Sequence, residues 1–294
     1  MSDTKIAFYK VRDFGEKMGA TVDFLRVNVK KLALSLLLIG GPVAVLVSLV
    51  FRDMFTNFFD LSSMDSGRGM GDVFAKLGVD YLLMMFLTWV TMMMIVGITY
   101  QFMIRYNNDD LADFSIGELF STALSKLPGL ILLSFLIFIV VFLGFLLFII
   151  PGIYLAVTLS LAYPIFLFEK DAGIGEAFTK PFKIITGKWW STFGVLFIGW
   201  IMAYAVSLVF SIPFSVVYVD NLFSAVKEGD EDPNAIMSMF SSGYMTLAMA
   251  LSNLGSYMSY SVPLIALAYQ YSNLVERKEG KGLLSEIHDF DKAD

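Results

Sequence analysis

The sequence predicts an all-α integral membrane protein. It predicts six transmembrane helices arranged as three repeats, each an amphipathic interfacial helix plus a transmembrane hairpin, closing as a pseudo-threefold bundle. Three observations lead there. The chain is 57% hydrophobic and only 16% charged, too little polar surface to coat a soluble globule. Apolar stretches of about 18 residues or more recur, each able to cross a hydrocarbon core of about 30 Å as a helix. One short pattern heads three of the segments, as DFGEKM (13–18), SIGELF (115–120) and GIGEAF (173–178).

The six expected crossings are about 32–51, 81–104, 128–150, 151–168, 190–218 and 244–272. The two longest contain Pro213 and Pro263, where tilt or a kink is expected. The fourth is short and broken near its end by Pro164. No cleavable signal is expected, because the first 31 residues are polar and charged. Lysine and arginine number seventeen in the termini and the loops on their side, against four in the alternate loops. That bias places both termini in the cytoplasm, with the Ile150-Pro151-Gly152 turn of the middle hairpin on the opposite face. Ten acidic residues lie on the outer side, so the net charge of −6 gathers there. A nucleic-acid partner would want a net basic surface, and none is expected.

The recurring pattern reads as a helix start. Asp13, Ser115 and Gly173 are accepted N-cap residues. Three positions on stand Glu16, Glu118 and Glu176, from which a carboxylate reaches back to the cap N–H and favours the positive end of the helix dipole. An apolar stripe follows each: Phe14, Met18, Val22, Leu25; Ile116, Phe120, Leu124, Leu127; and Ile174, Phe178, Phe182, Ile185. The other faces carry Lys17, Asp23, Ser121, Ser125, Lys180 and Lys183. Spans two, four and six leave the membrane at Tyr100-Gln-Phe, Tyr163-Pro-Ile and Tyr269-Gln-Tyr, each followed by a charged cluster. The repeat units are therefore about 13–110, 115–171 and 173–279 of one membrane domain, 1–294, with 280–294 a cytoplasmic tail.

Chemistry is scarce. The crossings hold almost no ionisable residue, the usual mark of a proton or ion path. The last is the most polar, and Asn253, Tyr257 and Tyr260 are candidates to line a cavity, against plain interhelical packing. Lys180, Lys183 and Lys188 beside Trp189 and Trp190 form a candidate lipid headgroup or interfacial anchoring site. Cysteine is absent, His288 is the lone histidine, and the acidic stretch 228–233 lacks EF-hand spacing. No metal, no cofactor and no catalytic residue is therefore expected, and with no Ser–His pair or facing carboxylates the chain reads as not an enzyme.

Over Ile150-Pro-Gly-Ile-Tyr-Leu-Ala-Val-Thr-Leu-Ser-Leu-Ala-Tyr-Pro164, Gly173-Ile-Gly-Glu-Ala-Phe178 and Gly187-Lys-Trp-Trp190, the chain resembles a bacterial family. It is similar to the membrane domain associated with glycerophosphoryl diester phosphodiesterases and to related bacterial inner-membrane proteins. The resemblance covers about 149–200. Thr158, and Thr179-Lys180-Pro181, stand where that family tends to have basic residues. It implies a bacterial inner-membrane location and association with lipids. It does not carry phosphodiester cleavage, since the soluble barrel and its histidines are missing. The expected function is that of a non-catalytic multi-pass protein that associates with membrane lipids or scaffolds a protein partner at the cytoplasmic face. The alternative is a permease or lipid translocator with a cavity on the repeat axis.

Overall fold

The computed structural model describes residues 5–59, 70–108, 115–227 and 242–284. The acidic stretch 228–233, most of the glycine-rich stretch at 66–71, the last residues of the first exit cluster and His288 lie outside them. Among the described residues the chain is helical, without strands. The helices are α1 (Phe14–Phe59), α2 (Met70–Asn107), α3 (Ile116–Leu147), α4 (Ile149–Ser160) and α5 (Ala162–Phe168), then α6 (Ile174–Ile184), α7 (Trp189–Lys227), α8 (Gly243–Ser259) and α9 (Ser261–Glu279).

Five stretches are long and apolar enough to cross a membrane: Phe14–Thr56, Phe74–Asn107, Ile116–Leu147, Ile149–Phe168 and Trp189–Asp220. That is the make-up of a membrane protein. The expected sixth, 244–272, is not among them. It breaks at Tyr260 into α8 and α9, and α9 is buried from Ser261 through Val275. A helix covered by protein on all sides does not need a lipid-compatible face, which is how α9 accommodates Gln270, Ser272 and Asn273.

The three expected helix starts are present. The Asp13 carboxylate accepts from the Glu16 N–H at 2.7 Å, and Glu16 accepts from the Asp13 N–H at 2.8 Å. Ser115 and Glu118 form the same reciprocal box at 3.1 and 3.3 Å. Gly173 has no side chain to cap with, and its helix starts from an extended backbone alone, with Glu176 in the first turn and no side-chain cap bond. The first two lead-in segments run without a break into the long helices α1 and α3, past Pro42 and Pro128. Only α6 is set off, by Gly187 at φ +76°, a conformation that glycine adopts without steric cost.

Burial shows which face of each lead-in segment packs inward. Of the stripe residues, Phe14, Phe120 and Leu124 are exposed, Ile185 is buried and the others are half-buried. The buried line runs beside the stripe, one and five residues after each glutamate: Lys17 and Thr21, Leu119 and Ala123, Ala177 and Pro181. Lys17, expected on a polar face, is thus only 2% exposed.

Compactness divides the chain across its long helices, not between repeats. One unit comprises Met1–Ser35, Met93–Ala203 and Tyr260–Asp294, and the other Leu36–Met92 and Tyr204–Ser259. The first has α9 at its centre. Close approach there relies on small residues: Gly97 faces Ala123 and Leu130, and Gly199 faces Pro263. In the second, Gly40 lies against Leu254 and Tyr257, Gly255 lies under Phe210, and Val217, Met245 and Ala248 form a small core.

The turn from α3 to α4 depends on two glycines. A Cβ on Gly152 would lie 2.4 Å from the Phe145 ring, and one on Gly144 would lie 2.7 Å from Leu155. Gly152→Ala is expected to lower stability by about 1–3 kcal/mol through overpacking, measured by thermal unfolding in detergent. Gly175→Ala, whose methyl meets nothing within 4 Å, is expected to be neutral or slightly stabilising.

Candidate functional site

The polar residues of the first unit gather around the end of α9. Glu169, just past α5, accepts from Tyr271 Oη at 2.7 Å and from Lys180 Nζ at 2.8 Å. Lys180 also reaches Glu279 at 2.8 Å, and Lys281 lies 3.5 Å from Glu169 and 3.4 Å from Glu279. Two carboxylates and two ammonium groups thus neutralise one another. Burial alone would lower the Lys180 ammonium, but its bonds to Glu169 and Glu279 outweigh that and hold it above the usual lysine value. Burial alone would raise Glu279, and Lys180 and Lys281 hold it below the usual carboxylate value instead. Burial, then the Glu169 charge, push the nearby Tyr9 phenol up to about 12.

Beside this cluster α6 and α9 border a cavity of about 320 Å³, lined by Glu176, Thr179, Lys180, Lys183, Lys278 and Glu279, with Ile184. Lys183 is exposed. Neither Lys183 nor Lys278 has a carboxylate partner among the described residues.

A second cluster surrounds Lys17. Its ammonium donates to Gln270 Oε1 at 2.6 Å and to Ser191 Oγ at 2.8 Å, and Gln270 Nε2 donates to Thr192 Oγ1 at 2.9 Å. No carboxylate pairs with it among the described residues. One turn along α9, Asn273 accepts from the Arg12 backbone N–H at 2.9 Å and from Arg277 Nε at 3.2 Å. Arg12 caps the Ala7 and Phe8 carbonyls and lies 5.1 Å over the Tyr269 ring.

Of the expected lysine–tryptophan group, Lys180 and Lys183 line the α6–α9 cavity, while Trp189 and Trp190 line a separate cleft with an unexpected neighbour. Trp189 stacks on Tyr154 and on Phe193 at 6.0 and 5.6 Å, and its Nε1 donates to the Tyr154 carbonyl at 3.4 Å. Trp190 is 77% exposed, and Lys188 is exposed before it. Ile150 and Ile153 line a cleft of about 650 Å³ with these aromatics. The Ile150 turn, expected on the face opposite Trp189, therefore lies beside it.

The three expected cavity residues fall in different units. Tyr260 lines a mostly apolar cleft of about 380 Å³ in the first unit, with Tyr163, Trp200 and Leu264. Asn253 and Tyr257 belong to the second unit, where Asn253 donates to Ser48 Oγ at 3.1 Å and Tyr257 lies against Gly40. No group of His, Asp or Glu able to hold a metal occurs among the described residues. The residues not anticipated as a site are Lys17, Gln270, Glu169, Glu279 and Lys281. Gln270 and the two glutamates belong to exit motifs visible in the sequence, but their partners are distant in it.

Comparison of the chain with protein-family models, with curated proteins and with solved structures finds no match.

Gln270→Leu strips an acceptor from an ammonium that stays buried, at an expected cost of about 1.5–3 kcal/mol in detergent unfolding. Lys17→Met is expected to cost less, since Leu119 and Ala177 hold the matching positions. The Glu279 contribution is present above the usual carboxylate value and is lost as pH falls through the lowered one. Acid unfolding of Glu279→Gln should therefore show a shallower pH dependence than that of the parent.

Proposed function

We propose that the protein is a non-catalytic, multi-pass membrane protein that binds anionic lipid headgroups at the α6–α9 cavity. One observation carries this. Lys180 and Lys281 are neutralised by Glu169 and Glu279, whereas Lys183 and Lys278 line the same polar cavity against the single further carboxylate of Glu176, which leaves its lining net positive. Trp189 and Trp190, with Lys188, sit in the same unit as interfacial anchors. The resemblance of 149–200 to the membrane domain associated with glycerophosphoryl diester phosphodiesterases agrees with a lipid role in a bacterial inner membrane. The charge bias agrees with cytoplasmic termini.

The finer architecture belongs to the same proposal. Three repeats of lead-in helix and hairpin are supported by the two reciprocal capping boxes and the matched buried positions. The buried exits at Tyr100 and Tyr269 agree. Six crossings in pseudo-threefold array is the expectation that such repeats carry. The permease alternative draws no support from its key residues, since Tyr260 lines a mostly apolar cleft and Asn253 is held by Ser48.

Native mass spectrometry of the gently extracted protein tests the lipid reading. The parent should retain anionic phospholipid, and Lys183→Ala/Lys278→Ala should retain several-fold less. Equal retention by both would overturn the assignment of the site.

A further inference from the structure

The α3–α4 hairpin raises a question of depth. From Phe135 to Val157 its only polar side chain is that of Tyr154. Leu146, Leu147, Phe148, Ile149 and Ile150 at its tip are 70–81% exposed. Turns that face water carry Gly, Asn, Asp or Ser for local hydrogen bonding. This one offers water only hydrocarbon, so acyl chains are the cover that fits it.

Its backbone suits that cover. The Phe148 N–H donates to the Gly144 carbonyl at 3.0 Å and the Gly152 N–H to the Phe148 carbonyl at 3.3 Å. One extended residue therefore joins the two helices. Pro151, in the first turn of α4, has no N–H to leave unpaired in a medium without water.

The level of the tip can be measured along α9. At the base of the returning arm, Glu169 is bonded to Tyr271 and Lys281. Near the tip, Tyr154 stacks on Trp189, and three residues further along α7 Thr192 is bonded to Gln270. The Glu169 end of the 154–169 arm therefore meets α9 directly, and the Tyr154 end meets α7 one turn before the residue that bonds the same stretch of α9. An arm of that length spans about 22 Å at ~1.5 Å per residue. A straight arm running along α9 would set its ends that far apart in depth. This arm breaks at Leu161 between α4 and α5, and α6 packs against both and brings Trp189 to Tyr154.

We propose that the α3–α4 hairpin does not cross the bilayer but lies within the leaflet bordered by Lys188, Arg277 and Glu279, its tip among the acyl chains of that leaflet. This rests on the reading of the chain as membrane-embedded with α7 passing through, and it replaces two of the six expected crossings with a one-leaflet wedge. The partner of the exposed tip is lipid hydrocarbon.

The absence of cysteine makes the test direct. Ile150→Cys and Trp190→Cys alter two exposed positions, 81% and 77% accessible, and take spin labels together in liposomes. The wedge gives a label separation of about 20 Å or less, whereas a tip on the far surface gives about 30 Å or more. In sealed, oriented vesicles, a membrane-impermeant maleimide should modify Ser125→Cys from one side and leave Ile150→Cys untouched from both. Modification of Ile150→Cys from either side, or the longer separation, overturns the wedge. Lipid retention at Lys183 and Lys278 is scored separately, so a failure here leaves that reading standing.

Discussion

Helix α9 is enclosed by protein over fifteen consecutive residues, Ser261–Val275. An ordinary surface helix can turn its polar side chains toward water, and this one has no such face. Each polar group it carries must be met by a neighbour, because an unpaired one in a dry interior costs about 1–3 kcal/mol. Gln270 is met by Lys17 and Thr192, Tyr271 by Glu169, and Asn273 by the Arg12 backbone and Arg277. The N-terminal segment, the end of α5 and the start of α7 occupy their places in the first unit because these demands hold them there.

The two charged clusters at that end of α9 differ in kind. Around Glu169 and Glu279, opposite charges cancel at 2.8–3.5 Å. Around Lys17 the partners are neutral oxygens, and the nearby charges of Arg277 and Lys188 are of its own sign. The first arrangement fixes α5, α6 and α9 to one another. The second keeps a costly charge where the other two lead-in segments carry Leu119 and Ala177. Once those pairs cancel, Lys183 and Lys278 against Glu176 leave the lining of the α6–α9 cavity net positive.

Helix identity was legible because it is local. Apolar run length, the Asp13–Glu16 and Ser115–Glu118 boxes and the apolar stripes all lie within a few turns of sequence. The packing face was harder. Phe14, Phe120 and Leu124 mark the most apolar line, but in a membrane protein that line is as well served by lipid as by protein, so apolarity does not say which face is inside. Lys17 was read as polar surface because its partners, Ser191 and Gln270, are 174 and 253 positions away. Gly173 matches the first two caps in backbone geometry, but lacks the side-chain oxygen that makes the box reciprocal. Among the site residues, Trp189 and Lys180 were visible as interfacial types. The nearness of Tyr154 to Trp189 was not, since it depends on the path that α6 takes back along α4 and α5.

The bond from Lys17 to Gln270 also has a meaning in time. Translation at about 5–20 residues per second puts on the order of ten seconds to a minute between the two. Throughout that interval the first helix exists without the acceptor that makes its ammonium tolerable away from water. The N-terminal segment therefore has to wait at a hydrated surface, and it docks only when the last helix has emerged. The first part of the protein to be made is among the last to settle.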